Sequence, residues 1–371
     1  MKAKLALFLA LILILPSLLA LSALAAPDVS AKSAILIEVE SGKVLYQKNA
    51  FVRLPMASTT KIMTAIVAIE KGNLEKTVTV SRDAVGVEGS SIYLKPNEKL
   101  TLEALVYALL LQSANDAATA IAIEVGGSVE GFAKLMNAKA EELGLTATHF
   151  TNPHGLDDEE HYTSAYDLAK IAAYALSNET FRTICSTYKK TIPDSDDGTR
   201  VLVNHNKLLR LYEGAIGVKT GFTKRSGRCL VGAAERDGLT LVSVTLDAPN
   251  DWNDHEKMLD FGFSTYENIM LAQKGEFTVP LPLSGGTVDY VIAANMDEVS
   301  VMLNRAHGEI TYRIEAPQLL TAPIKTGDVL GRIVYLCDGE EIAWSDLVAA
   351  SSVGTPQKKF SLWRWITSLL S

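Results

Sequence analysis

Hydrophobic residues recur along this 371-residue chain with two periods, one typical of helices and one typical of short strands. Apolar positions three and four residues apart predict helices in STTKIMTAIVAIEK, TLEALVYALLLQSANDAATAIAIEVGG, SVEGFAKLMNAKAEELG and TSAYDLAKIAAYALS. Short apolar segments bounded by turn residues predict strands in SAILIEVESGKVLYQKNA, GAIGVKTGFT, RCLVGAAERDG and LTLVSVTLDA. The last two strands would form a hairpin around Asp237-Gly238, and together with the N-terminal hairpin the late strands would make one antiparallel sheet. We therefore predict an α+β domain with an antiparallel sheet flanked by helices.

The pattern changes again near residue 272. From there to about Leu347, short segments such as VDYVIAA, VSVMLN and ITYRIEA alternate with Gly, Pro and Asn, which predicts a small β-sandwich. We therefore divide the chain into a targeting segment over residues 1–25, a main domain over 26–271, a β domain over 272–350 and a tail over 351–371.

The first segment has the features of a cleaved signal peptide. Lys2 and Lys4 precede an apolar stretch over residues 5–15, and the small residues of SALAA suit cleavage after Ala25. The alternative is an uncleaved anchor, because the segment from Leu5 to Ala26 is long enough to span a bilayer. Both interpretations predict that the rest of the chain is exported.

The tail ends in KKFSLWRWITSLLS, which predicts an amphipathic helix with Trp363 and Trp365 on its apolar side. Such a helix would be roughly 21 Å long, shorter than the ~30 Å apolar core of a bilayer, and would lie on the membrane surface. Lys358, Lys359 and Arg364 suit an anionic lipid surface. The alternative is a terminal helix packed on its own protein.

Composition excludes some other classes of protein. A formal charge of −8 and a pI near 5.4 argue against nucleic-acid binding, which requires a basic surface. Cys185, Cys229 and Cys337 have no metal-ligand spacing, and their odd number leaves one thiol without an intramolecular partner. We infer no disulfide framework.

A lysine in an apolar helix suggests chemistry. Ser58 and Lys61 are neighbours on one helix face, so the amine can reach the hydroxyl. Apolar residues surround most of this helix, and burial lowers the pKa of a lysine. A neutral Lys61 could take the proton of Ser58, and the helix N-terminus would favour the developing negative charge.

Two further polar motifs follow Ser58-x-x-Lys61 along the chain. Ser113-Ala114-Asn115 interrupts an apolar helical stretch, and Lys219-Thr220-Gly221 lies in a predicted strand. By itself the first could be a corner between helices, where Asn115 and Asp116 cap the next helix. The three motifs in this order are the signature of active-site serine penicillin-recognising enzymes.

Two of the motifs occur twice. A second Ser-x-x-Lys, at Ser186 and Lys189, lies in a segment that we expect to be exposed and non-helical. A second Lys-Thr-Gly, at residues 325–327, lies in a predicted turn of the β domain. We interpret both second copies as coincidental.

The resemblance extends beyond the three motifs. The stretches that carry it are LPMASTTKIMTA, GSSIYLKPNEKLTLEALVYALLLQSANDAATAIA, NPHGLDDEEHYTSAYDLAKIA, NHNKLL and GVKTGFTKRSGRCLVGAAERDG. From about Ala31 to its C-terminus the chain resembles serine-type D-alanyl-D-alanine carboxypeptidases, the low-molecular-mass penicillin-binding proteins. The resemblance implies a β-lactamase-like fold of the penicillin-recognising serine transferases.

The resemblance also implies a catalytic role for five residues. Ser58 would be the acylated nucleophile, and Lys61 its general base. Ser113 would help proton transfer to the leaving D-alanine, and Asn115 would hold the substrate amide. Lys219 would be a fixed positive charge that further lowers the pKa of Lys61.

The strand of the third motif would bind the substrate, through residues from Lys219 to Thr223. Thr220 would bind the terminal carboxylate, and the substrate would extend along the strand past Gly221 and Thr223. The backbone N–H groups of Ser58 and Phe222 would form the oxyanion hole.

The sequence departs from the family pattern in two places. Phe222 follows the Lys-Thr-Gly where some relatives have His. Some relatives also have an Arg after the last core strand that helps to hold the carboxylate, but DAPNDWNDHEK contains none. Thr223, Lys224 and Arg225 are the nearby candidates, and the sequence does not choose among them.

A histidine-rich stretch raises the question of a metal. His149, His154 and His161 occur with the acidic run over residues 157–160, but their spacing fits no short zinc motif. The stretch instead resembles the family's loop at the active-site edge. We expect no metal and no cofactor.

These observations predict an exported carboxypeptidase at the outer face of the bacterial cytoplasmic membrane. It would remove the terminal D-alanine from peptidoglycan stem pentapeptides, and β-lactams would inhibit it covalently. One alternative is a β-lactamase of the same fold, since a carboxylate at the cleft edge could speed hydrolysis of the penicilloyl ester. The other is a cell-wall scaffold that binds stem peptides without cleaving them.

Overall fold

The computed structural model describes residues 26–194 and 198–356. The predicted signal peptide and amphipathic helix lie outside these residues. The chain forms two compact units that divide between Thr265 and Tyr266, whereas the sequence suggests a boundary at residue 271/272. The strand Tyr266–Ala272 pairs with Val299–Asn304, which places it in the second unit.

The first unit combines helices with an antiparallel sheet. Its strands are β1 (Ser33–Glu38), β2 (Val44–Lys48), β3 (Thr77–Thr79), β4 (Lys99–Thr101), β5 (Lys189–Pro193), β6 (Thr199–Val203), β7 (Ala215–Thr223), β8 (Gly227–Arg236) and β9 (Leu239–Leu246). Its helices are α1 (Lys61–Lys71), α2 (Leu102–Leu111), α3 (Asn115–Gly126), α4 (Val129–Glu142), α5 (Ala165–Leu176), α6 (Glu179–Ser186), α7 (Leu208–Leu211) and α8 (Asp251–Thr265). The α+β prediction is confirmed.

The main sheet has the strand order β2-β1-β9-β8-β7, with antiparallel pairing throughout. The N-terminal hairpin therefore shares one antiparallel sheet with the late strands, as the sequence analysis predicts, and β1 joins it by pairing with β9. β7, which contains Lys219-Thr220-Gly221, lies at one edge of this sheet. One side of that strand is consequently available for a ligand.

Helix α1 lies in the centre of the helical region. Its residues from Lys61 to Ala68 are buried without interruption, because it packs against α2, α3, α4 and α5. A 3₁₀ turn over Ala57–Thr60 precedes it and contains Ser58. The predicted helix is thus confirmed, with its first residues wound more tightly.

The predicted helical stretch from residue 101 to 127 consists of two helices, α2 and α3. Thr101 caps α2 by accepting a hydrogen bond from the Ala104 amide. Ser113, between the two helices, has a left-handed φ of +59°. That conformation is strained for a residue with a Cβ, and it turns the chain at the second motif.

The sequence analysis predicts no regular structure for several elements of this unit, among them α6, the β5–β6 hairpin and α8. The expectation that Ser186 lies in a non-helical segment is wrong, since it is the last residue of α6. Lys189 begins β5, so the second Ser-x-x-Lys does not lie on one helix.

The second unit is built from strands. These are β10 (Tyr266–Ala272), β11 (Thr278–Ser284), β12 (Tyr290–Asn295), β13 (Val299–Asn304), β14 (Ile310–Glu315), β15 (Leu320–Thr321), β16 (Val329–Cys337) and β17 (Glu340–Ala349). They form a sheet of order β14-β16-β17-β12-β11-β15 and a two-stranded β10–β13 ribbon around a small apolar core. Across residues 26–194 and 198–356, no helix has the length and apolarity needed to cross a bilayer.

Candidate active site

The side chains of Ser58 and Lys61 are in contact. Lys61 Nζ lies 2.9 Å from Ser58 Oγ and donates a hydrogen bond to the His154 carbonyl at 2.5 Å. When the Lys61 amine is neutral, it can donate an N–H to the His154 carbonyl and direct its lone pair toward Ser58 Oγ. The predicted contact between the two motif residues is therefore present.

The surroundings of Lys61 disfavour its charged form. The side chain is fully buried, and burial lowers its pKa well below the usual value for lysine. The nearby charge of Lys219 lowers this pKa further, while the carboxylate of Asp116 opposes the shift. The net effect is an amine suited to accept a proton.

The strained corner places the serine of the second motif at the cleft that contains Ser58. Ser113 is almost fully buried and lines the same cleft as Ser58. Asn115 donates from Nδ2 to the Glu88 carbonyl, while its buried Oδ1 accepts no hydrogen bond from the residues that the structure describes. A buried amide oxygen without a donor is costly, so this atom is suited to accept an N–H from a ligand.

The edge strand β7 forms the opposite wall of the cleft. Lys219 is 1% exposed, its Nζ donates to the Thr220 carbonyl at 2.9 Å, and burial lowers its pKa to about 7. Thr220, Gly221 and Phe222 line the cleft. A Cβ on Gly221 would lie 3.0 Å from the Ser58 amide nitrogen, so strand and turn are in close contact at this point.

Thr223, the last predicted substrate-binding residue, makes other contacts. Its hydroxyl donates to Asp157 Oδ1 at 2.9 Å and lies 3.0 Å from Ser226 Oγ. It therefore connects the end of β7 to the acidic loop and is not among the residues that line the cleft.

The histidine-rich stretch supports the turn that contains Ser58. His161 Nδ1 accepts from the Thr151 amide at 3.0 Å, so Nε2 carries the proton and donates to Thr60 Oγ1 at 2.8 Å. The Thr60 hydroxyl donates to the Ala57 carbonyl, directly before Ser58. Ala57 has a left-handed φ of +46°, and this chain of hydrogen bonds stabilises the strained conformation.

Glycine is required beside the same turn. A Cβ on Gly155 would lie 1.9 Å from the Ala57 carbonyl oxygen, closer than any packed atoms approach. His149 lies apart, where its Nδ1 is 2.6 Å from the Glu160 carbonyl oxygen. Within the described parts of the chain, no group of three or more His, Cys, Asp or Glu residues has a metal-binding arrangement.

The cleft, with a volume of about 330 Å³, also contains residues that the sequence analysis did not single out. They are Ser90, His205, Arg228, Asp251 and Trp252. Some relatives have their carboxylate-binding Arg after the last core strand. In this chain Arg228 lies on β8, directly opposite Phe222. The register of the β7–β8 hairpin, whose turn lies between Thr223 and Gly227, could have identified this position.

Comparison with known proteins agrees with this arrangement. The family described as D-alanyl-D-alanine carboxypeptidase matches residues 21–250, and the one described as penicillin-binding protein 5, C-terminal domain, matches residues 266–355. D-alanyl-D-alanine carboxypeptidase DacF of Bacillus subtilis (strain 168) is 37% identical over 329 residues, which cover 86% of this chain and 85% of that protein. DacC of Escherichia coli (strain K12), also a D-alanyl-D-alanine carboxypeptidase, is 33% identical over 358 residues, 88% of this chain and 85% of that protein.

Solved structures are similar as well. Penicillin binding protein 5 from Haemophilus influenzae has a TM-score of 0.72 and 28% identity, and the match covers 89% of this chain and 99% of that one. The matches extend over both units, and the three motifs are present in order. The chain therefore belongs to the D-alanyl-D-alanine carboxypeptidase family.

Proposed function

We propose that this protein removes the terminal D-alanine from peptidoglycan stem pentapeptides through an acyl-enzyme on Ser58. The observation that carries the proposal is the 2.9 Å contact between Ser58 Oγ and the Nζ of a fully buried Lys61. A hydroxyl beside a neutral amine is an activated nucleophile.

In the acylation step, Ser58 Oγ attacks the carbonyl carbon of the penultimate D-alanine while Lys61 Nζ takes the hydroxyl proton. The peptide C–N bond then breaks, and the proton passes through Ser113 to the leaving nitrogen. The positive charge of Lys219 supports this cycle, because it keeps the pKa of Lys61 low. Water releases the shortened stem peptide and restores Ser58.

The substrate backbone would lie between the Ser113 corner and β7. The unpaired Oδ1 of Asn115 would accept an amide N–H of the peptide. The amides of Ser58 and Phe222 would bind the oxyanion, and the close approach of Gly221 to the Ser58 amide supports this pairing. No step requires a cofactor.

The test is D-alanine release from diacetyl-L-Lys-D-Ala-D-Ala. The full chain should release D-alanine, and Ser58→Ala should abolish release. Ser186→Ala, which removes the serine of the second Ser-x-x-Lys, should retain full activity. Mass spectrometry after penicillin treatment should find the adduct on the peptide that contains Ser58.

The alternatives give different results in the same assay. A scaffold without activity would release no D-alanine from any peptide, and an adduct on another serine would contradict the mechanism. A β-lactamase would turn penicillin over rapidly instead of accumulating the adduct. The second unit argues against the β-lactamase, because it matches a C-terminal domain of penicillin-binding proteins.

We also propose export, with attachment to the outer face of the cytoplasmic membrane through the tail. The signal-like N-terminus and the basic amphipathic sequence of the tail support this location. Sedimentation with anionic vesicles tests it: the chain without residues 1–25 should bind, and binding should be lost when residues 357–371 are also removed.

A further inference from the structure

The cleft contains an arginine on the strand next to the edge strand. Arg228 lies opposite Phe222 in the β7–β8 pair, and Thr220 lies two residues from Phe222. Side chains at such diagonal positions share a face of the sheet and are ~7–8 Å apart at their Cα atoms. Thr220, Phe222 and Arg228 all line the cleft that contains Ser58.

Helix α8 holds this guanidinium in place. Arg228 Nη2 is 2.9 Å from Asp251 Oδ1, and the Asp251 side chain is only 5% exposed. Asp251 is the first residue of α8, and its Oδ1 also accepts from the Trp252 amide at 3.0 Å. The Arg228 carbonyl accepts from the Ala248 amide at 2.9 Å, so backbone and side chain are both anchored.

The anchored guanidinium can still bind a ligand. It has five N–H donors, the ion pair with Asp251 is made by Nη2 alone, and 44% of the side chain is accessible. An arginine also remains charged at every pH at which the enzyme would work. Lys219 is different, because it is buried and its Nζ already donates to the Thr220 carbonyl.

The other basic residues nearby do not fit this role. Lys224 and Arg225 lie in the turn between β7 and β8, and neither lines the cleft. The Thr223 hydroxyl is bonded to Asp157 and Ser226. Of the candidates between Thr223 and Arg228, only Arg228 combines a permanent charge with a place in the cleft.

We propose that Arg228, positioned by Asp251, binds the terminal carboxylate of the substrate together with Thr220 and thereby selects peptides with a free C-terminus. This assignment rests on the proposed carboxypeptidase function. A planar guanidinium matches the geometry of a carboxylate, and such charge-assisted pairs are stronger than neutral hydrogen bonds.

The experiment compares two substrates that differ only at the C-terminus: diacetyl-L-Lys-D-Ala-D-Ala and its C-terminal amide. For Arg228→Gln, kcat/KM on the free acid should fall about 10- to 100-fold, mainly through KM, as for a lost hydrogen bond to a charged group. On the amide the same variant should remain within about threefold of the wild type, because that substrate has no carboxylate. Arg225→Gln, three residues away, is the matched control and should match the wild type on both substrates.

The two substrates separate failure of the Arg228 assignment from failure of the proposed function. Equal losses on both substrates, or no loss on either, overturn the assignment of Arg228 while wild-type activity on the acid stands. A wild type that releases no D-alanine contradicts the proposed function itself. If thermal melting shows that Arg228→Gln is unfolded, Arg228→Lys tests the assignment instead. Its kcat/KM should fall by a smaller factor, and only on the substrate with a free C-terminal carboxylate.

Discussion

The tripeptide Lys-Thr-Gly occurs at residues 219–221 and again at 325–327, in two very different settings. The first copy lies on the edge strand of the main sheet, with Lys219 buried beside Lys61. The second forms an exposed turn, in which the Lys325 amide donates to Asp328 and the Gly327 amide to the Ala349 carbonyl. An identical sequence thus forms a cleft wall in one unit and a surface turn in the other.

The difference shows what the motif needs in order to act. Because Lys219 is buried, water screens its charge poorly and that charge lowers the pKa of Lys61, whereas water screens the charge of the exposed Lys325. An extended edge strand offers its backbone to a peptide, but the second copy bends at Gly327, where φ is +87°. Parallel substitutions in the two copies therefore separate these contributions.

The largest expected difference is between the substitutions of Lys219 and Lys325. Lys219→Gln should slow acylation by a fluorescent penicillin about 100- to 1,000-fold, because it removes a preorganised charge from the site. Lys325→Gln should acylate at the wild-type rate. Similar rates for the two variants would contradict the importance of burial.

The two glycines should give effects of different kinds. In Gly221→Ala, the new methyl group would lie 3.0 Å from the Ser58 amide nitrogen, so the turn must shift by a few tenths of an ångström. We expect acylation to slow about tenfold from this misplacement. In Gly327→Ala the methyl group meets open space, but the left-handed backbone should cost about 1 kcal/mol of stability.

Penicillin acylation and thermal melting, measured on both glycine variants, test this contrast. Gly221→Ala should lose rate at a nearly unchanged melting temperature, and Gly327→Ala should lose stability at an unchanged rate. The reverse result would show that the close approach of β7 to Ser58 does not matter for acylation.

The smallest effect is a shift in pH dependence. As the proposed general base, Lys61 must be neutral to accept a proton, so acylation should be lost as the pH falls through its lowered folded-state pKa. The charge of Lys219 is one cause of the lowered pKa of Lys61, so Lys219→Gln should move the acidic limb of the pH–rate profile to higher pH. Lys325→Gln should leave the acidic limb of the pH–rate profile unchanged. If the acidic limb is unchanged in both variants, the amines of Lys61 and Lys219 do not interact.

Much of this structure was predictable from short stretches of sequence, because a helix or a hairpin arises mainly from residues that are close along the chain. The apolar positions around Lys61 predicted a buried helix, and the Asp237-Gly238 turn predicted the β8–β9 hairpin. Helix α8 was missed because its early residues are mostly polar. Several of them, including Asp254 and His255, are buried only because partners from distant parts of the chain bond to them, such as Ser30 and Ser243.

The supporting contacts of the site were not predictable in the same way. His161 reaches Thr60 across 101 residues, and Asp251 holds Arg228 from another element. Sequence spacing carries information only over a turn of helix or a hairpin, so it cannot show such partners.

By itself the sequence determined the contact of Ser58 with Lys61, because a separation of three residues brings both side chains to one face of a helical turn. It also determined that the late strands form hairpins next to one another. Only the tertiary structure decided which arginine enters the cleft and how closely β7 approaches the Ser58 turn. Those choices depend on burial and on the pairing of distant strands, and both arise when the whole domain excludes water from its core.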